Sequence, residues 1–407
     1  MSSASEKAPR ARLSLCMIVR DEAALLPEFL ARVGGIWDEL CVVDTGSRDD
    51  SRRILVEAGA TLVDEPWQED FARARNRSLE LASGEWVLYL DPDELVQDDF
   101  GPAVDALLRD PDAGAATLLM RNRLPHGHVR QTALLRLFRR DPQICFRHAI
   151  HEEVATAVEA YLGRTGRKLR HLRATVDHLG YTRTRAEEKN KKERDTAILL
   201  NCLAADPGDT YSWFKLLELA RFWDDPALAA DHAPACREAL AAEAGNSLQK
   251  APYGGELLAL LASSLFPADP AAALRFLVDW QDGIRPSAAY WLRRAELAER
   301  VGDVAAARAG FDACLALADE TADVQLATVR PEMGLARLHL SAGDLPAAFA
   351  HVERALTHNP RDPEALLCAC ALFPLVRRQP VQVFAEQYLA RHGPTPELAA
   401  ALAEAAA

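Results

Sequence analysis

Between Leu13 and Leu90 the chain alternates four short apolar runs with three stretches of helical spacing. Few folds accept that rhythm. The runs are LSLCMIV, ELCVVD, TLVDE and EWVLYL. Each is short, largely apolar and bounded by polar residues, as a buried strand is. The stretches between them, EAALLPEFLARV, SRDDSRRILVEAG and DFARARNRSLELASG, place apolar residues at helical intervals. Strand, helix, strand, helix at this spacing predicts a parallel sheet covered on both faces. Ser47 is the expected N-cap of the second helix, with Asp50 three residues on to reciprocate and Gly59 at its C-terminal end. In such sheets ligands bind outside the carboxyl ends of the strands. Those ends carry RDE, DTGS and DPDE, so the three clusters are expected to line one crevice.

The pattern changes after Asp110. AATLLMRNR and QTALLRLFRR read as strands joined by a hairpin at LPHGHVR, followed by ICFRHAIHEEV and a strand ending in DHLGY. This predicts an antiparallel lobe completing the first domain. From Arg185 the chain is helical and rich in Ala and Leu. Two segments, beginning at Tyr290 and Glu332, align on Gly302-Asp303 and Gly343-Asp344, with Ala307 and Ala348 five positions after each glycine. Ala355 and Pro360 suit later positions of the same pattern. It resembles the tetratricopeptide repeat, a helix–turn–helix unit of about 34 residues. The two glycines are 41 residues apart, so the linker DETADVQLATVRP carries an insertion. DTYSWFKLLELARFW resembles the first helix of an earlier unit. Stacked pairs of this kind present a concave surface that holds peptides. The expected organisation is a disordered N-terminus over 1–12, an α/β domain over 13–184 and an α-helical, tetratricopeptide-like domain over 185–407.

Composition narrows the function classes. A net charge of -13 argues against nucleic-acid binding through a basic surface. The eight cysteines form no CxxC pair, which favours reduced, mostly buried thiols over a zinc site or a disulfide scaffold. MSSASEKAPR lacks the apolar core of a signal peptide, and no run reaches the roughly 18 apolar residues of a membrane span. A cytoplasmic protein is expected.

Three motifs carry chemistry. In DPDE, Asp91 and Asp93 have the spacing of a carboxylate pair that holds a divalent cation, which would bridge to phosphate oxygens of a substrate. Pro92 restricts the turn between them. In VVDTGSRDDS, Asp44 ends a strand, where an acceptor reaches a ribose hydroxyl or a base N–H. In DFARARNRSLELASGEW, Arg73, Arg75 and Arg77 alternate. Residues two apart diverge on a helix, so all three guanidiniums cannot reach one ligand.

Taken in order, LSLCMIVRDE, VVDTGSRDDS, DFARARNRSLELASGEWVLYLDPDE and HEEV resemble the family-2 nucleotide-sugar glycosyltransferases of the GT-A fold, in the branch with a C-terminal tetratricopeptide region. The resemblance runs from Leu13 to Tyr181. It implies that Asp91 and Asp93, at the family's DxD position, face Mg²⁺ or Mn²⁺ and the diphosphate of the donor. It implies that Asp44 contacts the nucleoside and that Arg20, Asp21 and Glu22 border the base. Arg75 and Asn76 match an Arg-Asn pair in the helix before the DxD strand. HEEV matches a His-Glu element beyond the sheet. Inverting transfer needs a base to take the acceptor proton, and Glu152 is the first choice, Glu153 the second. His151 or His178 could complete a metal site. HEEV is no zinc-protease helix, because position 155 is Ala155 rather than histidine.

The expectation is therefore a metal-dependent, inverting glycosyltransferase that uses a UDP-sugar or related donor. Its helical half would dock a peptide or protein acceptor. The competing expectation is a tetratricopeptide interaction scaffold on a catalytically silent nucleotide-binding domain, in which the strand-end carboxylates would be expendable. Nucleotidyl transfer on the same fold is weakened by the lack of a Gly-rich, Lys-containing phosphate loop near the N-terminus.

Overall fold

The computed structural model describes residues 12–123, 129–178, 185–242, 248–249, 251–285, 287–317 and 327–405. The chain forms two compact units, Met1–Cys202 and Leu203–Ala407. The sequence boundary at 184 falls just before the helix Arg185–Ala205, and the division between the units falls within that helix. The N-terminal segment to residue 11, the hairpin turn and the last three residues of DHLGY lie outside the described residues.

The first unit is built on one sheet of eight strands: β1 (Leu13–Val19), β2 (Glu39–Asp44), β3 (Thr61–Asp64), β4 (Trp86–Tyr89), β5 (Glu94–Val96), β6 (Ala113–Arg123), β7 (Val129–Arg139) and β8 (Lys168–His178). Their order is β3-β2-β1-β4-β7-β6-β8-β5. The pairs β1–β2, β1–β4, β2–β3 and β6–β8 are parallel, whereas β4–β7, β6–β7 and β5–β8 are antiparallel. Order reverses at β1, which has β2 on one side and β4 on the other. The ends of these three strands therefore share one edge, where open α/β sheets bind ligands.

Alternation along the strands separates two cores. Leu13, Leu15, Met17 and Val19 of β1 and Trp86 and Leu88 of β4 join one apolar cluster, along with Phe29 of helix α1 (Leu26–Val33). Cys16, Val87 and Tyr89 point the other way, into a cluster with Ala72, Phe146 and Val158. Both faces are covered, as the near-continuous apolar runs require. Helix α2 (Ser51–Glu57) is followed by Ala58 and by Gly59 at φ +82°, the left-handed stop expected of that glycine.

The expected cap of α2 is wrong. Asp50 occupies the N-cap, without a side-chain cap bond, and Ser47 lies in the preceding loop. The Ser47 hydroxyl instead accepts the Asp21 N–H at 3.0 Å. A short polar side chain has bonded a neighbouring loop in place of its own helix.

At the opposite edge of the sheet, Glu39 clips three elements. Its carboxylate accepts the Ser14 hydroxyl, the Ser83 hydroxyl at 2.7 Å and the Gly84 N–H at 2.8 Å. Burial alone would raise this carboxyl, but these bonds outweigh it and hold the value at about 2. Gly84 is needed here, because a Cβ on it would stand 2.6 Å from the Ser14 hydroxyl.

The second unit is helical throughout its described regular structure, apart from one 3-10 turn at Gln281–Gly283. Ala288–Arg300 and Val304–Leu315 form one helix pair, Val329–Ser341 and Leu345–His358 another. Gly302 and Gly343 take φ +83° and +74° at the turns, and Asp303 and Asp344 cap the helices that follow, each accepting the N–H three residues on. Ala307 and Ala348 are fully buried. The repeat-like pattern is thus a helix–turn–helix pattern in space. The described part of the insertion belongs mainly to the next helix. No helix among the described residues is long and apolar enough to cross a membrane. No disulfide joins any of the eight cysteines, all of which are described.

Candidate active site

The loops after β1 and β2 are laced together. Asp21, at φ +54°, accepts the Arg48 N–H at 2.7 Å. The Glu22 N–H donates to the Ser51 hydroxyl at 2.8 Å and the Ala23 N–H to Asp49 at 2.9 Å. Arg20 and Asp21 are exposed beside them. Asp44 ends β2 and is 1% exposed. Its Oδ1 accepts the N–H groups of Gly46 and Ser47, both at 2.8 Å. Its Oδ2 is buried, with no hydrogen-bond partner among the described residues. A buried carboxylate oxygen without a partner costs free energy and is an acceptor awaiting a donor.

Helix α3 (Phe71–Leu81) starts at an Asp70 cap that accepts the Arg73 N–H. The alternating arginines part as helical geometry demands. Arg73 bonds Glu65 at 2.8 Å, and Arg77 approaches the same carboxylate at 3.9 Å. These two, with Asn76, Phe146, Arg147 and His148, line a cavity of about 650 Å³. Arg75 alone turns inward and is 6% exposed. Its Nη2 lies 2.9 Å from both oxygens of Asp91, and its Nε donates to Glu152. The guanidinium stands 5.4 Å from the Tyr89 ring centre and 5.8 Å from that of Phe146. One buried cation therefore joins the first DPDE carboxylate to the glutamate of HEEV.

The electrostatics follow from this burial. For Asp91, burial opposes the charge, but Arg75 and then Arg136 outweigh it and hold the carboxyl below its ordinary value. For Arg75, burial likewise opposes the charge, and Asp91 and Glu152 more than restore it. Asp93 lies 3.3 Å from His178 at the end of β8. That hydrogen bond raises the imidazole above its ordinary value against the effect of burial.

Asn76 ties α3 to the segment carrying HEEV. Its amide donates to the Phe146 carbonyl at 2.9 Å and accepts the Phe146 N–H at 2.7 Å. Glu152 and Glu153 diverge. Glu152 gives Oε1 to Arg75, whereas Glu153 pairs its backbone with Arg147 and accepts the Thr156 N–H at 2.9 Å. His151 adopts φ +53° in an exposed turn.

Two further residues belong to the site. Glu94, the last residue of DPDE, begins strand β5, is 3% exposed and accepts the Asp91 N–H at 3.1 Å. Arg136 of β7 was not foreseen. It pairs with Glu94 and stands 4.6 Å from the Tyr89 ring centre. No periodic signal marked it: Leu134 and Phe138, two residues either side, pack into different apolar clusters, because the pairing with β6 shifts register at Arg136.

Among the described residues, no three His, Cys, Asp or Glu side chains are grouped so as to hold a metal ion. The donors present still suit Mg²⁺ or Mn²⁺ in kind. These ions take hard oxygen ligands, and Mg²⁺ is commonly bound through one or two carboxylates plus substrate phosphates. Asp91 and Asp93 supply two such carboxylates, with His178 adjoining.

Residues 14–157 match the family model described as glycosyl transferase family 2. A TPR repeat-containing protein of Synechococcus elongatus is 40% identical over 211 residues, 51% of this chain and 52% of its own length. The prophage-derived glycosyltransferase SunS of Bacillus subtilis is 25% identical over 152 residues, 36% of each chain. Thus the chain spans about half the length of the first relative and about a third of the second. Among solved structures, glucosyl-3-phosphoglycerate synthase of Mycobacterium tuberculosis aligns at a TM-score of 0.37 and 19% identity, covering 47% of this chain and 79% of that one.

Proposed function

We propose, from the premise that this chain carries a glycosyl transferase family 2 domain over residues 14–157, that it moves a sugar from a nucleotide-sugar, with UDP-sugars first among the candidates, to an acceptor with inversion at the anomeric carbon. The observation that carries this reading is the Asp91–Arg75–Glu152 bridge, at the edge where β1, β2 and β4 end together.

Asp44 offers its unpartnered Oδ2 to a donor group on the ribose or base, with Arg20, Asp21 and Glu22 bordering that end. Arg75 supplies a positive charge to the diphosphate side, and Asn76 fixes the position of the neighbouring segment. Asp91 and Asp93 would hold Mg²⁺ or Mn²⁺, with His178, or less directly His151, adjoining. The ion, when bound, neutralises charge developing on the leaving diphosphate. Arg75 holds Glu152 by Oε1, and no hydrogen bond to Oε2 is found among the described residues. That geometry suits a base: the acceptor X–H loses its proton to Glu152 as X bonds to the anomeric carbon. The bond from that carbon to the diphosphate oxygen breaks, and the nucleoside diphosphate departs with the electron pair. Glu153, occupied at the start of the helix Ala155–Thr165, is the weaker candidate. The helical unit, whose paired helices support a docking role, would present a peptide or protein acceptor.

Nucleoside diphosphate release, measured across sugar donors with Mn²⁺ or Mg²⁺ present, tests the reading. Turnover of at least one donor, lost in Asp91→Ala, is expected. Folded protein that binds and hydrolyses none of them would refute it.

A further inference from the structure

The DPDE turn is held from behind by a residue outside every motif. Arg136 lies on β7 with its side chain only 14% exposed. A guanidinium so placed must be paired, and this one has two attachments. Its Nη2 donates to Glu94 Oε1, and the group lies over Tyr89 at 4.6 Å. Tyr89 and Glu94 bracket Asp91 and Asp93 in the chain. The Tyr89 hydroxyl donates to the Leu135 carbonyl at 2.6 Å, anchoring the ring to the same strand that carries Arg136.

Glu94 closes the turn. Its Oε2 accepts the Asp91 N–H at 3.1 Å, and its own N–H donates to the Asp91 carbonyl at 2.9 Å. Asp91, Pro92, Asp93 and Glu94 thus form a ring secured by one backbone bond and one side-chain bond. The side-chain bond requires Glu94 to stay in place, and Arg136 is the cation that keeps its carboxylate there. Arg75 meets Tyr89 as well, at 5.4 Å, so the ring lies between two guanidiniums.

We propose that Arg136 is a positioning residue for the Asp91–Asp93 turn, acting through Glu94 and Tyr89. This assignment rests on the sugar-transfer reading for its effect on turnover, but the locking of the turn can be measured without it. A shift of about 1 Å in groups that hold a leaving group can lower turnover on the order of 100-fold.

Three variants test the assignment: Arg136→Met, Arg136→Lys, and Arg136→Met combined with Glu94→Gln. With a donor that the wild type turns over, Arg136→Met is expected to lower kcat on the order of 100-fold and to change donor KM far less. Arg136→Lys should recover part of the loss. The double variant removes the uncompensated buried carboxylate, so its thermal midpoint should return toward wild type while kcat stays low. Amide hydrogen exchange at Asp91 and Glu94 should rise on the order of tenfold in Arg136→Met, with β1 still protected. Unchanged exchange at these two amides would overturn the assignment. So would a kcat that recovers in step with the midpoint in the double variant, since that would make the pair a stabilising contact alone. If the wild type turns over no donor, the transfer reading falls, and exchange still decides whether Arg136 locks the turn.

Discussion

At the residue scale, the site depends on buried charge that is matched locally. Arg75 has one side chain and two carboxylate partners, so removing it leaves two acids beside apolar rings. Breaking a buried pair from one side is costlier than deleting both partners. Arg75→Met is therefore expected to lower unfolding stability by about 3 kcal/mol, read as a shift in the urea midpoint. A shift under about 0.5 kcal/mol, the scale of an ordinary surface change, would mean that water already neutralises Asp91 and Glu152. Glu39 makes a second prediction, in pH. Its carboxyl falls from 4.5 to about 2 on folding, so the folded form binds fewer protons between those values. The stability it contributes is complete above 4.5 and is lost as pH drops toward 2, by about 3 kcal/mol in all. Glu39→Gln should remove that part of the acid dependence; parallel acid curves for variant and wild type would disprove it. The sequence announced Asp44, Asp91 and Asp93 because each stands where an apolar strand stops. Arg136 and Glu39 were silent because their partners are remote along the chain: Glu94 precedes Arg136 by 42 residues, and Gly84 follows Glu39 by 45.

At the scale of elements, the parallel half of the sheet was legible, and so were β6, β7 and β8 as strands and the antiparallel pairing of β6 with β7, whereas the way the two halves join was not. Strands β1 to β4 alternate with helices, and that rhythm dictates parallel neighbours. It could not say that β7 would pair antiparallel with β4, or that three residues, Glu94–Val96, would pair with β8 as an edge strand. Neither pairing leaves a local mark, since a strand of three residues has too few positions for periodicity. Ser47 misled for a related reason: its composition suited a cap, but a loop 26 residues earlier supplied a competing donor. In the second unit, helix contacts depend on small residues. Gly334 lies in Val329–Ser341 where an added Cβ would stand 2.3 Å from the Phe311 ring. Phe311 is fully buried, so the ring has little room to yield. Alanine favours a helix by about 1 kcal/mol over glycine, but overpacking costs about 1–3 kcal/mol. Gly334→Ala is expected to destabilise on balance, with a lower urea midpoint followed by helical circular dichroism. A raised midpoint would show that propensity outweighs the clash.

At the scale of the whole molecule, the negative charge is unevenly shared. Residues 1–202 hold 30 Lys and Arg against 33 Asp and Glu, whereas residues 203–407 hold 17 against 27, a net of -10. The first unit is nearly neutral, so under the proposed function its own field would repel an anionic diphosphate little. The helical unit is strongly acidic. If that unit docks the acceptor, complementarity selects a basic one, because like charges slow encounter and opposite charges speed it. The expected acceptor is thus a Lys- or Arg-rich peptide or protein. Surface charges are screened beyond about 10 Å at 0.1 M salt, so acceptor KM should rise severalfold between about 0.03 and 0.3 M salt. Donor KM, under the proposed function, should change much less, because the first unit is nearly neutral. Transfer to paired peptides that differ only in Lys-to-Glu replacements, assayed across this range, measures both effects. Equal use of the acidic and basic peptides at low salt would show that acceptor choice does not follow the field of the helical unit.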